Sequence, residues 1–230
     1  VVLPRWRDVV GDEGKAAEVL SQLQLGYPRF VIHPYVREVT RRLAPGEPAL
    51  PFPSFKVAEM AAAFVTRTSG EAARVLAPAG QFAVATTETG MAALRAFWQH
   101  TGLIVSSRQA EAMLAGRGES PEANETRRSL RQQLAGFYDC GEEDIVFTPS
   151  GMAAQFAALR AVLDRRPGQP TAQLGFPYVD TLKLQQKLGH GVTLLHNLAG
   201  IEEDLGALLQ KQSLAACFCE IPGNPLLGSV

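Results

Sequence analysis

The sequence has almost no net charge, no long apolar run and few cysteines, and each shortage argues against a class of protein. With 22 Lys and Arg residues against 23 Asp and Glu residues, neither a nucleic acid nor an anionic membrane is an expected partner. No apolar run is long enough to span a bilayer, and the first residues lack the charged leader and apolar core of a secretory signal. Three cysteines, an odd number, do not make a disulfide framework. We therefore expect a cytosolic protein.

Two kinds of binding motif are also missing. No G-x-G-x-x-G follows a predicted strand, which disfavours a Rossmann-type nucleotide binder. No two of the four histidines have the spacing of a metal-ligand pair, so we expect no metal site. Cys217 and Cys219 alternate along a predicted strand, and we interpret them as small buried apolar side chains rather than a zinc or redox pair.

What the sequence does contain is a regular alternation of strands and helices in residues 106–230. The predicted strands are 145–147, 172–175, 192–195 and 214–219, and the helices between them lie near 151–164, 178–188 and 201–211. Such alternation predicts an α/β domain with a mostly parallel sheet covered by helices. Ligands of such sheets bind at the carboxyl ends of the strands.

Residues 1–105 are predicted to form a smaller α/β segment of their own. Its predicted elements are a strand at 29–33, a helix at 35–43, a turn-rich connection with four prolines at 44–54, a helix at 58–67, a strand at 82–85 and a helix at 90–98. Proline marks turns and is excluded from central strands, which is why 44–54 is assigned to a connection.

Residues 144–158 predict a strand, a tight turn and an alanine-rich helix. The backbone N–H groups at the start of a helix, together with the positive end of its dipole, bind anions such as phosphate. Gly151 lets the backbone approach such a ligand closely because it has no Cβ. The alternative is that Ser150 only caps the helix.

Two further strand ends bring aromatic or polar groups to the same predicted edge. Tyr178 follows the strand at 172–175, and its ring suits a planar heteroaromatic ligand. The alternative is a core tyrosine with a satisfied hydroxyl group. Glu220 and Asn224 follow the last strand, where Pro-Gly and Asn-Pro also fit an ordinary turn. We expect these groups to lie near Ser150, because the carboxyl ends of parallel strands meet at one edge.

Taken together, these motifs resemble the Cys/Met-metabolism family of pyridoxal-phosphate enzymes, which includes cystathionine γ-synthase, the cystathionine lyases and the homoserine-ester sulfhydrylases. Gly-Met-Ala-Ala, Tyr-x-x-Thr and Glu-x-Pro-x-Asn-Pro occur in the order that the family has them. The segments 26–34, 97–102, 106–108 and 175–181 are similar to the fungal-type cystathionine γ-synthase branch. The resemblance implies a fold-type-I transferase, of which residues 106–230 form the first, incomplete half of the large domain.

The resemblance also implies roles for individual residues. The backbone of Gly151 and Met152, with Ser150, holds the phosphate of pyridoxal 5'-phosphate in this family's pattern. Tyr178 matches the tyrosine that stacks on the cofactor ring and takes part in catalysis. Asn224 matches the asparagine near the cofactor's phenolic oxygen.

Arg108 lies where the family has the arginine of a Tyr-x-Arg pattern, which reaches the phosphate site of a neighbouring subunit. Ser106 stands in place of that tyrosine, so a surface residue at a helix start is the alternative for Arg108. The family pattern implies a homo-oligomer, a dimer or a tetramer, for the full-length protein.

The lysine that holds the cofactor in this family has no match in the sequence, and neither has the aspartate that pairs with the pyridine nitrogen. None of the five lysines belongs to a Ser-x-Thr-Lys segment. Both groups follow the Asn-Pro turn in the family, and the sequence also begins without Met. We therefore expect the N-terminal part of a longer enzyme.

For the whole enzyme the resemblance implies a cytoplasmic trans-sulfuration step of methionine biosynthesis, with small amino acids as substrates. The reaction is γ-replacement on an O-acylhomoserine by cysteine, which gives cystathionine. The alternatives are a β- or γ-lyase or a sulfhydrylase of the same family, or a non-catalytic module that serves as a partner.

Overall fold

A computed structural model describes residues 5–14, 16–22, 26 and 29–223. The helices of this part are α1 (Trp6–Glu13), α2 (Ala17–Leu20), α3 (Pro34–Leu43), α4 (Phe55–Ser69), α5 (Met91–Thr101), α6 (Ser107–Leu114), α7 (Ala123–Tyr138), α8 (Gly151–Arg165), α9 (Val179–Leu188) and α10 (Ile201–Lys211). The strands are β1 (Ala49–Phe52), β2 (Ala73–Leu76), β3 (Phe82–Thr86), β4 (Thr171–Leu174), β5 (Val192–Leu195) and β6 (Ala216–Phe218).

The chain forms two compact units. The N-terminal unit comprises Val1–Gln99 and Ile104–Ala123, and the C-terminal unit comprises His100–Leu103 and Asn124–Val230. The sequence-based division at residue 105 is a prediction about domains in the whole enzyme and stays a prediction.

The N-terminal unit is built on a three-stranded antiparallel sheet in the order β1-β3-β2. Val84 of the central strand lies opposite Leu50 on one side and Val75 on the other. Helix α4 packs against all three strands, beginning at the N-cap Ser54 and ending at Gly70 in the left-handed conformation. Ser and Gly are the residues that favour these two helix ends.

Aromatic rings fill the core of this unit. Phe52 from β1 meets Phe97 and Trp98 from α5 edge to face, with ring centroids 6.0 and 5.7 Å apart. Phe64 from α4 lies 5.6 Å from the Phe97 ring. All four rings are at most 2 % exposed. Because aromatic side chains are large, their burial makes a large apolar contribution to the stability of this core.

The prediction that residues 44–54 form only a connection is wrong, because β1 lies within it. Pro51 is part of this strand and lies opposite Ala83. In the order β1-β3-β2 the strand is an edge strand of the described residues, where proline is tolerated. Strand β2 was not predicted at all.

The predicted strand at 29–33 is also wrong, since these residues form a turn and an irregular segment. Arg29 is buried and its Nη1 donates to the carbonyl oxygen of Gln99 at 2.8 Å. His33 caps α3 through its Nδ1, which accepts from the N–H of Tyr35, and Pro34 opens the helix. The helix-start signals of His33 and Pro34 therefore outweigh the strand preference of the apolar residues.

The C-terminal unit confirms the α/β class with a parallel sheet. Its strands are parallel, in the order β5-β4-β6. Helix α9 packs against α8 and β5, and α10 packs against β5. The predicted helices at 151–164, 178–188 and 201–211 and the predicted strands at 172–175, 192–195 and 214–219 are confirmed within three residues.

A buried hydrogen-bond network fixes α9 on this sheet. Thr171 Oγ1 donates to Gln185 Oε1 at 2.7 Å, and Gln185 Nε2 donates to Gln173 Oε1 at 2.7 Å. Gln173 Nε2 then donates to the carbonyl oxygen of Phe218 in β6 at 3.1 Å. The three polar side chains are fully buried. Because each is hydrogen-bonded, the cost of burying them is compensated.

The predicted strand at 145–147 is not formed. Residues 145–147 follow a short 3₁₀ turn at Glu142–Asp144 and pair with no strand of the described residues. Val146 is 74 % exposed. The run has strand-like composition, but strand propensity expresses a fit to neighbouring strands rather than a property of the segment alone.

The expectation that Cys217 and Cys219 are buried is wrong too, because both thiols are free and exposed. Strand β6 is an edge of the sheet formed by the described residues. Among all the residues that the structure describes, no helix is both long enough and apolar enough for a membrane span.

Candidate functional site

Ser150 caps α8 and fixes the turn before it. Its Oγ accepts from the N–H of Ala153 at 3.1 Å and donates to the carbonyl oxygen of Gly102 at 3.0 Å. Thr148 Oγ1 donates to the carbonyl oxygen of Ser150 at 3.0 Å. The capping interpretation of Ser150 is therefore realised, and capping leaves the first N–H groups of the helix available.

The turn before α8 requires a glycine at position 102. Its backbone has φ of +64°, and a Cβ there would lie 2.4 Å from Ser150 Oγ and 2.8 Å from Met152 Cβ. Only glycine combines a left-handed backbone with so close an approach. We call the four residues His100–Leu103 the bridging segment.

The first turn of α8 fits an anion. Among the described residues no acceptor is hydrogen-bonded to the backbone N–H of Gly151 or Met152. A Cβ built on Gly151 would meet nothing within 4 Å, so neither packing nor backbone conformation requires glycine there. Open space beside two free donors at the positive end of a helix suits a phosphate group.

Tyr178 and Glu220 meet at the carboxyl ends of β4 and β6. Glu220 Oε1 accepts from the backbone N–H of Tyr178 at 2.8 Å and from Thr181 Oγ1 at 3.3 Å. Tyr178 is the N-cap residue of α9. A carboxylate at this position satisfies the start of the helix and interacts favourably with its dipole.

The Tyr178 hydroxyl group is hydrogen-bonded to one member of a buried ionisable pair, Asp180 and His100. It donates to Asp180 Oδ2 at 3.2 Å, while Asp180 Oδ1 lies 3.1 Å from His100 Nδ1. Asp180 is 1 % exposed and His100 is 5 % exposed. Burial lowers the pKa of His100 from its ordinary value, the Asp180 carboxylate opposes this shift, and the positive charges of Lys187 and Lys183 add to it.

The bridging segment joins these features into one cluster. Its first residue, His100, is hydrogen-bonded to Asp180, and its third, Gly102, accepts from Ser150. Gly102, which contacts the turn before α8, thus lies only two residues along the chain from His100, which contacts the start of α9. By this route the Ser150 turn, which precedes Gly151 and Met152, is linked to Tyr178 and Glu220 at the start of α9.

Sequence reasoning missed His100 and Asp180. His100 and Asp180 entered the sequence analysis only as parts of the segments 97–102 and 175–181, and neither was assigned to the site. One signal was present, since Asp180 lies two residues after Tyr178 in the first turn of a predicted helix. The histidine is 80 positions away from the aspartate, and no local pattern connects the two.

Two predicted site residues, Asn224 and Arg108, are not connected to this cluster by any contact seen among the described residues. Asn224 lies outside the described residues. Arg108 is exposed in the first turn of α6 and belongs to the N-terminal unit. The roles of both residues stay predictions. No group of three His, Cys, Asp or Glu side chains within the described ranges is arranged to hold a metal ion.

Comparison with curated proteins finds relatives over the whole chain. An L-2-amino-4-chloropent-4-enoate dechlorinase/desaturase of Streptantibioticus cattleyicolor is 32 % identical over 99 % of this chain and 49 % of its own length. A cystathionine γ-synthase of Neurospora crassa is 39 % identical over 48 % of the chain and 19 % of its own length. The cystathionine γ-synthase-like enzyme iboG2 of Amanita muscaria is 25 % identical over 100 % of the chain and 54 % of its own length.

This chain is homologous to cystathionine γ-synthases and cystathionine γ-synthase-like enzymes. The resemblance predicted from the sequence is confirmed, including its fungal members. The chain spans about half the length of the curated relatives that it matches from end to end. No protein-family model matches the chain, and no solved structure matches it significantly.

Proposed function

We propose that this chain forms the phosphate- and ring-binding part of a pyridoxal-phosphate enzyme of the cystathionine γ-synthase type. The observation that carries the proposal is the bridging segment, which ties the open N-terminus of α8 and the anchored Tyr178 into one cluster. A phosphate cradle beside a partly exposed aromatic ring suits a phosphorylated pyridine better than a free anion.

In this proposal each group has a defined task. The N–H groups of Gly151 and Met152 donate to the phosphate, and the cap at Ser150 keeps them oriented. The ring of Tyr178 lies against the pyridine ring, and Asn224 donates to its phenolic oxygen. Pyridoxal phosphate, when bound, supplies an aldehyde for the substrate amino group and a ring that withdraws electrons from the substrate carbon.

We propose a fold-type-I architecture for the whole enzyme, with residues 106–230 in its large domain and residues 1–105 as an N-terminal segment. We propose also that it works in the cytoplasm as a homo-oligomer, a dimer or a tetramer. Arg108 then reaches the phosphate of a neighbouring subunit. An arginine fork is well suited to that contact.

The proposed reaction is γ-replacement on an O-acylhomoserine by cysteine, which gives cystathionine. Two relatives support a reaction at the γ carbon, one named a γ-synthase and one named for removing chlorine from carbon 4 of an amino acid. Departure of a group from the γ carbon is the step that these names have in common. A γ-lyase or a sulfhydrylase shares that step, whereas a β-lyase removes a group from the β carbon. Assays of the full-length enzyme with O-acylhomoserine plus cysteine, with O-acylhomoserine plus sulfide and with cystathionine alone separate these activities.

A binding experiment tests the cofactor proposal on this chain. Pyridoxal phosphate is titrated into the protein and followed by equilibrium dialysis, with pyridoxal as the probe that lacks phosphate. Gly151→Ala puts a methyl group into the cradle, and we expect it to weaken pyridoxal phosphate binding about tenfold or more while leaving pyridoxal binding unchanged. Alanine is a good helix former, so α8 is retained.

Gly136→Ala is the matched control. Gly136 lies inside α7, and a Cβ there also meets nothing within 4 Å. This variant keeps the affinity of the unchanged protein. The proposal fails if the unchanged chain binds pyridoxal phosphate no better than pyridoxal, or if the two alanine variants behave alike.

A further inference from the structure

The carboxylate of Asp180 has a hydrogen-bond donor on each oxygen, and the two donors come from distant parts of the chain. Oδ2 accepts from the Tyr178 hydroxyl group, and Oδ1 faces His100 Nδ1. Asp180 is 1 % exposed. A carboxylate buried this deeply requires compensating donors, and these two also fix the direction in which each oxygen points.

Tyr178 is held at both ends although its ring is partly open to solvent. Its backbone N–H is bound by Glu220, its hydroxyl group is bound by Asp180, and the residue is 41 % exposed. Ordering an exposed side chain costs conformational entropy that core packing does not return. Such ordering is worthwhile where a ligand benefits from a ring that is already in place.

The protonation state of His100 agrees with a donor role. Its pKa is lowered by burial in the first place, and by the charges of Lys187 and Lys183 on α9, against the opposing carboxylate. A lowered pKa favours the neutral imidazole, in which one ring nitrogen carries a proton. The adjacent carboxylate assigns that proton to Nδ1.

We propose that His100 is a positioning residue that sets the orientation of the Tyr178 ring through Asp180. His100 orients the carboxylate, the carboxylate accepts a hydrogen bond from the Tyr178 hydroxyl group, and the ring is held ready for the flat face of a ligand. The part of this inference that concerns the cofactor ring rests on the proposed function. The part that concerns the order of the tyrosine ring is a property of the chain alone.

Two substitutions of His100 form a matched pair. His100→Asn places an amide nitrogen close to the position of Nδ1, whereas His100→Gln places it close to that of Nε2. Both are polar and of similar size, so a requirement for polarity or for bulk affects them alike. Leu159→Ala serves as the control for lost stability, because Leu159 is fully buried in α8 and contacts neither Tyr178 nor Asp180 through a hydrogen bond.

The first readout is the NMR signal of the Tyr178 ring in protein with ¹³C-labelled tyrosine. The chain has four tyrosines, and Tyr178→Phe identifies the signal. We expect His100→Gln to shift and broaden it and His100→Asn to keep it as it is, with Leu159→Ala also leaving it unchanged. An unchanged Tyr178 signal in His100→Gln, or an equal change in both His100 variants, overturns the proposal.

The second readout separates the ring from the phosphate. We expect His100→Gln to weaken pyridoxal phosphate binding about tenfold, the size of one lost hydrogen bond, without changing the affinity for inorganic phosphate. His100→Asn keeps both affinities. If the unchanged chain binds no pyridoxal phosphate, the proposed function fails, and the NMR comparison still decides whether His100 orders Tyr178.

Discussion

The two units of this chain bury different kinds of side chain. Seven of the eight buried polar or charged residues among those described lie in the C-terminal unit, and the exception is Arg29. The N-terminal unit has instead a cluster of aromatic rings around Phe97. Apolar packing is non-directional and tolerates small shifts, whereas hydrogen bonds fix both distance and angle. The C-terminal unit, which contains the candidate site, is therefore the unit whose interior depends on accurate hydrogen-bond geometry.

The largest effect is expected from the aromatic core. Phe97→Ala removes a fully buried ring that contacts Phe52 and Phe64, and it should lower the free energy of unfolding by about 3–5 kcal/mol. Chemical denaturation measures this loss. Phe137→Ala is the control, because Phe137 is 83 % exposed. Equal stability of the two variants would contradict the assignment of this core.

The polar interior is tested next by Gln185→Leu. The leucine fills a similar volume but leaves Gln173 Oε1 without the donor that Gln185 supplies, which costs about 1–3 kcal/mol in a buried site. Gln186→Leu makes the same chemical change on the exposed neighbour and should leave the unfolding midpoint almost unchanged. A loss of equal size in both variants would mean that the network contributes nothing specific.

A pair of glycines then separates backbone strain from the fit of the Ser150 turn. Gly102 and Gly116 have φ of +64° and +63°, but only a Cβ on Gly102 meets Ser150 and Met152. Alanine at either position incurs the left-handed backbone cost of about 1–2 kcal/mol. Gly102→Ala should cost about 1 kcal/mol more, and it alone should weaken pyridoxal phosphate binding. Equal losses of stability and an unchanged affinity would show that the close approach is unimportant.

The smallest effect concerns pH. Because burial holds the pKa of His100 below its unfolded value of 6.5, the unfolded chain binds more protons below that pH, and stability falls with it. The contribution is fully present above about pH 6.5 and is lost as the pH falls toward the folded pKa. His100→Asn should flatten the fall in stability below about pH 6.5. A slope that His100→Asn leaves intact would assign the fall to other groups.

Local patterns predicted most of the helices and the parallel strands correctly. The alanine-rich run after Ser150 and the Gly-Phe-Pro-Tyr segment carry their own start signals, so α8 and the region of α9 were identifiable. Pro51 misled the prediction for β1, since the sequence does not say whether a strand lies at an edge. The strand-like residues 145–147 failed for the converse reason, because strands exist only where partners are present.

In the candidate site too, some residues could be predicted from the sequence and others could not. Tyr178 and Glu220 follow predicted strands that are formed, so the sequence places them at the predicted edge. The strand predicted before Gly151 is not formed, and only the start of its helix was identifiable. His100 could not be placed, since its partner Asp180 lies 80 positions further along the chain. The same holds for Gly102, whose partner Ser150 is 48 positions away.

The sequence by itself determined the class of fold, the family and the carboxyl edge of the sheet, because these follow from periodicity, turn residues and short motifs. Only the tertiary structure decided that His100 near the end of α5 contacts Asp180, and that Gly102 just after this helix contacts Ser150. Hydrogen bonds across such separations depend on where the folded chain brings its segments together. No local preference of the chain encodes that arrangement.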